Sequence, residues 1–429
     1  MALMAQGTVL SADAAPSIHV LPDGTIAIPP ASQQALAYYD ALSVVWATRA
    51  VCGAMLLFLL CLFGIGARIR DFIAPVCRTW YLQVAGCWCL LSLLLFAVML
   101  PLDYWRFAIY DDVGLGNQSF ANWVRNQSGQ ALLSAMLGAL VLWVPYGLLR
   151  MNLRRPWLFA WLLTVPFVVV MTLVWPVFVD PIFSSAKPLV APEQMVLKER
   201  LEQLAERAGI ARGRIFVADT SRHSNALNAR VTGIGGSQRI ELSDNLLTML
   251  SPDQAAFAMA HEIGHYVLHH AWQDVAIHLL ALLALFFTGY AAAQWAIERY
   301  ARRLRCSFLG DPASLPLIMF LLAIGAGIIQ PLKNTFYRYE EREADAYALE
   351  LTRDNRAAAE TFVMLQHSNL SVPRPNPVLH FLRDSHLSLA ERIEFANSYA
   401  PWRDGKPLKF STRMKAAPAM DLQIGKKNN

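Results

Sequence analysis

His261, Glu262 and His265 stand in the order H-E-x-x-H. On a helix, residues four apart lie on one face, so both imidazoles can grip one zinc ion. The carboxylate between them is then placed to activate a zinc-bound water, which is the chemistry of a metal-dependent hydrolase. The local sequence predicts the helix that this requires. Ser251-Pro252-Asp253-Gln254 is a start signal, with serine as N-cap, proline at the first helical position and glutamine closing a capping box. Ala255 to Ala260 continues without a breaker. Gly264 is costly inside a helix unless the missing side chain makes room for a substrate or another backbone. Such a short match also occurs by chance in unrelated proteins, so its weight comes from the helix and from a third ligand.

The third ligand separates the zinc-protease classes. A metzincin places glycine and histidine three and six residues after the second ligand, and Leu268 and Ala271 occupy those positions. His269 shares the ligand face but lies a turn further on, and a single helix seldom supplies three ligands to a tetrahedral site. A carboxylate on a second helix remains. Arg338-Tyr339-Glu340-Glu341-Arg342-Glu343-Ala344-Asp345 offers three candidate glutamates. Glu341 and Asp345 are four apart and share a face. Glu341 can complete the ligand set while Asp345 orients a ligand histidine from behind. Glu340 and Glu343 read as a solvated helix face.

Composition sets these residues in a membrane. The chain has 429 residues, 55% of them hydrophobic and only 16% charged, with a mean hydropathy of +0.34. That is too apolar for an ordinary soluble enzyme. Six apolar stretches, near residues 50–67, 79–101, 131–149, 157–179, 275–297 and 314–332, are long enough or nearly so to cross a bilayer. Trp80, Tyr81, Tyr104, Trp105, Trp157 and Trp175 cluster near their ends, as interfacial aromatics do. The net charge of +5 includes no basic run that would suggest nucleic acid. Six cysteines fall in spans or short loops, away from the presumed catalytic segments, and read as packing residues.

The expected fold is mainly α: a polytopic membrane protein of about six transmembrane helices with a small α+β zinc-protease domain. Residues 1–44, with no Lys or Arg and several prolines, are expected as an extended leader. Residues 45–183 hold the first four transmembrane helices. Residues 184–274 form the first part of the catalytic domain, with an amphipathic helix from Glu193 to Ala208, strands at Arg214-Ile215-Phe216-Val217-Ala218 and Arg239-Ile240-Glu241-Leu242-Ser243, and the H-E-x-x-H helix. Residues 275–332 supply helices five and six. Residues 333–400 carry the glutamate-ligand helix, and 401–429 are a tail. About ten residues, roughly 15 Å of helical rise, separate His265 from the fifth span, and Glu341 lies a similar distance beyond the sixth. Both ligand helices are therefore expected as extensions of membrane helices, with the zinc near one membrane face or in a water-filled space.

These motifs, in this order, resemble the integral-membrane zinc metalloproteases of the type-I CAAX prenyl endopeptidase family. The resemblance spans most of residues 100–395. It includes Asp103-Tyr104-Trp105-Arg106-Phe107 through Gly114-Leu115-Gly116-Asn117, then Pro181-Ile182-Phe183 with Pro188-Leu189. It continues with His223-Ser224-Asn225-Ala226, Gly233-Ile234-Gly235-Gly236-Ser237-Gln238-Arg239-Ile240 and His261 to His265. It ends with Arg338, Glu341 and Asp345, then Ser385-His386 and Glu391-Arg392. It implies a gluzincin catalytic domain inserted among membrane helices that enclose a hydrophilic chamber, and cleavage near a C-terminal, often prenylated, cysteine. It implies one Zn2+ per chain held by His261, His265 and Glu341, with Glu262 as general base and Asp345 behind the ligands. It further implies that Asn225 and Ala226 lie on an edge strand that pairs with substrate backbone, and that His386 steadies the substrate carbonyl or the developing oxyanion.

The chain departs from the family pattern in places. Tyr337 replaces a small hydroxyl residue, Leu387 replaces a proline, and residues 1–44 offer no further N-terminal span. These changes surround the ligands without touching them and bear on substrate choice. A compact loop between the strand region and the H-E-x-x-H helix, without an acidic insertion, suggests a bacterial relative, in an inner membrane, where a prenylated substrate does not follow. The expected partners are a peptide or protein substrate, lipidated or not, and the lipid bilayer, with no nucleic acid. Arg68, Arg70 and Arg78, then Arg150, Arg154 and Arg155, then Arg299, Arg302, Arg303 and Arg305 occupy three loops. With six spans these share one side, so the positive-inside rule places the catalytic region outside the cytoplasm, unlike the family's eukaryotic members. Two other functions fit the same residues: a general membrane quality-control protease, and a non-enzymatic lipid- or peptide-binding chamber stapled by zinc.

Overall fold

The computed structural model describes residues 16–151, 153–174, 187–189, 195–209, 215–219, 221, 229–232 and 239–415. Its membrane part opens with α1 (Gln33–Leu62), the short α2 (Ile65–Ile73) and α3 (Trp80–Asp112). Next come α4 (Phe120–Val141), which runs on into α5 (Trp143–Arg150), and α6 (Pro156–Val169). The catalytic part begins with β1 (Lys187–Pro188), α7 (Met195–Arg207), β2 (Ile215–Ala218), β3 (Ala229–Thr232) and β4 (Arg239–Ser243). It continues through α8 (Asp244–Met249) and α9 (Pro252–Val267). Two long helices follow, α10 (His270–Leu304) and α11 (Leu315–Thr352), then α12 (Asn355–Ser368), α13 (Pro377–Arg383) and α14 (Leu389–Ser398).

Among the described residues, five helical segments are long and apolar enough to cross a membrane: Gln33–Leu62, Trp80–Asp112, Phe120–Arg150, His270–Leu304 and Pro312–Thr352. The fourth expected span is helical only over Pro156–Thr172, shorter than the others, and the rest of that stretch lies outside the described residues. The leader expected to reach residue 44 gives way to helix at Gln33, where the Ser32 hydroxyl accepts from the Ala35 amide. The reason is packing. Ala35 buries against Leu115 and Leu370, and Tyr38 meets Tyr110 edge-on at 5.8 Å. This end of α1 touches protein instead of lipid, so it needs no apolar run.

The three basic loops meet at one end of the bundle. Arg70 pairs with Asp311, Arg305 Nη2 lies 3.0 Å from Asp71, and Arg150 donates to the Gly310 carbonyl at 3.0 Å. The catalytic part sits at the other end of α10. At 1.5 Å per residue the 35 residues of that helix separate the two by about 50 Å.

The sheet has the order β1-β2-β4-β3, with β2 and β4 parallel and both outer pairs antiparallel. The strands expected around Ile215 and Ile240 pair in register with each other. One core joins the sheet to the helices through Leu201, Ile240, Phe257, Ile263, Tyr347 and Phe362. α11 is unbroken from the membrane into this core, as expected. α9 is not an extension of the fifth span: it stops at Val267, and His269 at φ 61° turns the chain into α10.

The segment before α1 is strapped across the catalytic part. Asn397 accepts from the Ile26 amide at 3.0 Å and donates to the Ile26 carbonyl at 2.9 Å, while Gln366 donates to the Pro29 carbonyl at 3.0 Å. The Ile26 side chain is buried in the catalytic core. Truncating it leaves a cavity there, so Ile26→Ala should destabilise the catalytic part by about 2–4 kcal/mol. Limited proteolysis against temperature in detergent would read this as earlier cutting. Unchanged protection would contradict the strap.

Candidate functional site

The start signal of α9 forms as the residue types require. The Ser251 hydroxyl accepts from the Gln254 amide at 3.3 Å, and the Gln254 side chain accepts from the Ser251 amide at 3.0 Å. The capped helix carries His261 and His265 on the face that meets α11. That approach is close because Gly264 has no side chain: a Cβ there would lie 3.1 Å from Ala344 Cα and 3.2 Å from its carbonyl oxygen. Another backbone, one of the two partners expected for this glycine, fills the space.

The close approach brings Glu341 onto the histidine pair. His261 Nε2 and His265 Nε2 are 3.1 Å apart, and they lie 3.5 and 3.4 Å from the two Glu341 oxygens. Three donors around a tetrahedral zinc at about 2.0–2.1 Å are about 3.3 Å apart, so this spacing fits one ion. Glu341 Oε2 is buried with no hydrogen bond, and its charged neighbours His261 and Arg392 both stand 3.5 Å away, so the oxygen retains the lone pair that a ligand needs. Among the described residues this trio is the group that could hold a metal ion.

A buried charge network stands behind the trio. Asp345 Oδ1 lies 2.9 Å from His261 Nδ1. Arg392 holds both Asp345 oxygens, at 2.6 and 2.9 Å, and stacks over Phe362 at 4.3 Å. Asp345 is 1% exposed and Arg392 7%, so neither charge is stable there without the other. Burial pulls the His261 pKa down, but the carboxylates of Asp345 and Glu341 beside it outweigh this and lift it to about 10. The pocket thus favours positive charge beside His261, as a metal site must. Burial raises the Glu262 carboxyl, against the nearby imidazoles, which strengthens it as a proton acceptor.

Glu262, His261, Glu341 and His386 line one cavity of about 650 Å³. His386 is exposed, with Nε2 3.6 Å from Glu341. Leu250, Phe257 and Leu365 give the cavity an apolar wall, and Tyr38, Tyr39 and Leu42 of α1 also line it. Asn225 and Ala226 lie outside the described residues. The strand that follows them, β3, is an outer strand of the described sheet.

Two expectations change. Glu340 is 3% exposed and faces Asp274 of α10, so it is no solvated surface group. Its neutral-looking place in the sequence hid a partner on another helix. Glu343 pairs with Lys409. Sequence reasoning also missed His270, whose Nδ1 lies 2.8 Å from His265 Nδ1.

Comparison with known proteins agrees with this architecture. The profile of peptidase family M48 matches residues 191–400, and that of the CAAX prenyl protease N-terminal region, five membrane helices, matches residues 30–185. The chain is 34% identical over 345 residues to the uncharacterized metalloprotease YhfN of Bacillus subtilis, covering 80% of this chain and 79% of that one. It is 30% identical over 325 residues to CAAX prenyl protease 1 of Saccharomyces cerevisiae, covering 71% and 70%. The crystal structure of S. mikatae Ste24p shares the fold, with a TM-score of 0.73 at 23% identity over 85% of this chain and 88% of that one.

A metal ion entering at His261 must displace the proton that the carboxylates hold there. The raised pKa keeps that proton in place at neutral pH, so uptake releases protons and affinity climbs as pH rises toward 10. Chelator competition should show apparent affinity rising about tenfold per unit between about pH 7 and 9. A flat profile would contradict the charge assignment.

Proposed function

This chain belongs to peptidase family M48, in its CAAX prenyl protease branch, and from that premise we propose how its own residues cut a peptide. It is an integral-membrane metalloendopeptidase with a peptide substrate. The ion is one zinc per chain, held by His261, His265 and Glu341. The observation that carries this is the cluster beside Glu262: His261 Nε2 and His265 Nε2 are 3.1 Å apart, and each has one oxygen of the Glu341 carboxylate at 3.5 and 3.4 Å. Zinc bound there supplies Lewis acidity to the scissile carbonyl and to water.

The protein does the rest. Asp345, clamped by Arg392, holds His261 in orientation. Glu262 accepts the proton of the attacking water and returns it to the nitrogen of the leaving amine. His386, at the cavity mouth, donates a hydrogen bond to the carbonyl oxygen as it gains charge. The peptide lies extended along the outer edge of the sheet, where Asn225 and Ala226 precede β3, and pairs backbone to backbone. The apolar wall at Leu250, Phe257 and Leu365 accepts an apolar side chain. A lipid chain on the substrate is compatible with this wall and not required by it. No nucleic acid takes part.

The same reading places the protein in a bacterial inner membrane with its catalytic side outward. Its support is the meeting of three arginine-bearing loops at the far end of α10, which the positive-inside rule assigns to the cytoplasm.

Glu262→Ala should keep zinc and lose peptide cleavage by at least about a hundredfold, whereas Glu341→Ala should lose zinc itself. Metal analysis that finds full zinc occupancy in the second variant would refute the ligand set. For topology, alkaline phosphatase fused to the C-terminus should be active. A reporter that fluoresces only in the cytoplasm should stay dark, and its fluorescence would place the active site inside.

A further inference from the structure

The two histidines of the trio are held from behind by unlike groups. His261 Nδ1 meets the carboxylate of Asp345 at 2.9 Å. His265 Nδ1 meets another imidazole, His270 Nδ1, at 2.8 Å, with the rings edge to face at 4.9 Å. We propose that His270 is a positioning residue, one that fixes the tautomer and rotation of His265 by accepting a hydrogen bond from its Nδ1–H. This rests on the zinc reading given above.

The donor and acceptor roles follow from chemistry. His265 turns Nε2 toward His261 and Glu341. A metal on that atom leaves the ring proton on Nδ1, which must then donate. His270 Nδ1 must accept, so His270 is neutral with its own proton on Nε2. That Nε2 is buried with no hydrogen-bond partner, on a residue only 2% exposed. An unmet buried donor costs stability. The fold retains it where the other ring nitrogen meets a ligand histidine.

The chain path is built for this contact. α9 stops at Val267, and His269 takes a left-handed turn at φ 61°. α10 then starts at His270, which folds back onto the previous turn of α9. A straight helix would put residue 270 five positions on, about 140° around the axis from residue 265. The break is therefore what lets these two rings meet.

A carboxylate behind His265, as behind His261, would add a second negative charge to the site. An imidazole acceptor fixes the ring without that charge and leaves the bound ion more electropositive. Positioning, and not charge, is its contribution.

The test measures zinc affinity by chelator competition on the full chain in detergent, together with the visible spectrum of the cobalt-substituted protein. His270→Ala should weaken zinc about 10–100-fold and alter the cobalt bands. His270→Asn, whose amide oxygen can stand near the position of Nδ1, should recover most of the affinity. The neighbouring His269→Asn should leave both readouts unchanged. Wild-type affinity and an unchanged spectrum in His270→Ala would overturn the proposal. If His270→Ala does not fold, His270→Asn and His270→Met decide: tighter zinc in the asparagine variant supports the acceptor role, and equal affinities overturn it. Glu341→Gln serves as reference. Should it bind zinc like the parent, the ligand assignment fails, independently of His270.

Discussion

Gly264 touches the backbone of Ala344, and the site exists because of that contact. A side chain at position 264 would meet the Ala344 backbone and push α9 and α11 apart, drawing Glu341 away from the two imidazoles. Removing the Cβ at one position lets α9 and α11 close until Glu341 stands 3.4–3.5 Å from both Nε2 atoms. The helical cost of a glycine, roughly 1 kcal/mol, is offset by the close packing of α9 on α11. The ladder of consequences runs outward from there. Asp345 lies one turn beyond Glu341 on the same helix and meets His261, and Arg392 on α14 neutralises Asp345.

The membrane sets the other half of the arrangement. α11 passes without a break from the apolar span into the catalytic core, so Glu341 is fixed to a rod anchored in lipid. α9 instead belongs to the small mixed domain and reaches the membrane only through the turn at His269. The site is thus built between a membrane helix and a domain packed against it, with Tyr38, Tyr39 and Leu42 of α1 also lining the cavity.

Much of the site was legible in the residues, for reasons that can be named. Helical periodicity turns the spacing of His261 and His265 into a shared face, and the spacing of Glu341 and Asp345 into another. The capping residues at Ser251 and Gln254 act locally, so their types suffice. Gly264 announces a close approach without saying by what. What stayed hidden depends on contacts between elements. Histidine enters the left-handed region more readily than most residues, but nothing in the local sequence marks a turn at His269 rather than a continuing helix, so the meeting of His265 with His270 could not be read. Glu340 looks solvated until Asp274 is seen opposite. The first turns of α1 carry polar residues because protein covers them, and hydropathy alone starts the helix too late. Only the resemblance to the prenyl endopeptidases singled out His386, which stands 3.6 Å from Glu341 and which no spacing rule reaches across more than a hundred residues.

The central claim is that one zinc ion sits between His261, His265 and Glu341. X-ray absorption at the zinc edge of the membrane-purified protein tests it most directly. The account predicts a shell of nitrogen and oxygen atoms at about 2.0–2.1 Å, with the outer scattering of two imidazole rings. A sulfur shell near 2.3 Å, or the scattering of a single imidazole, would contradict it.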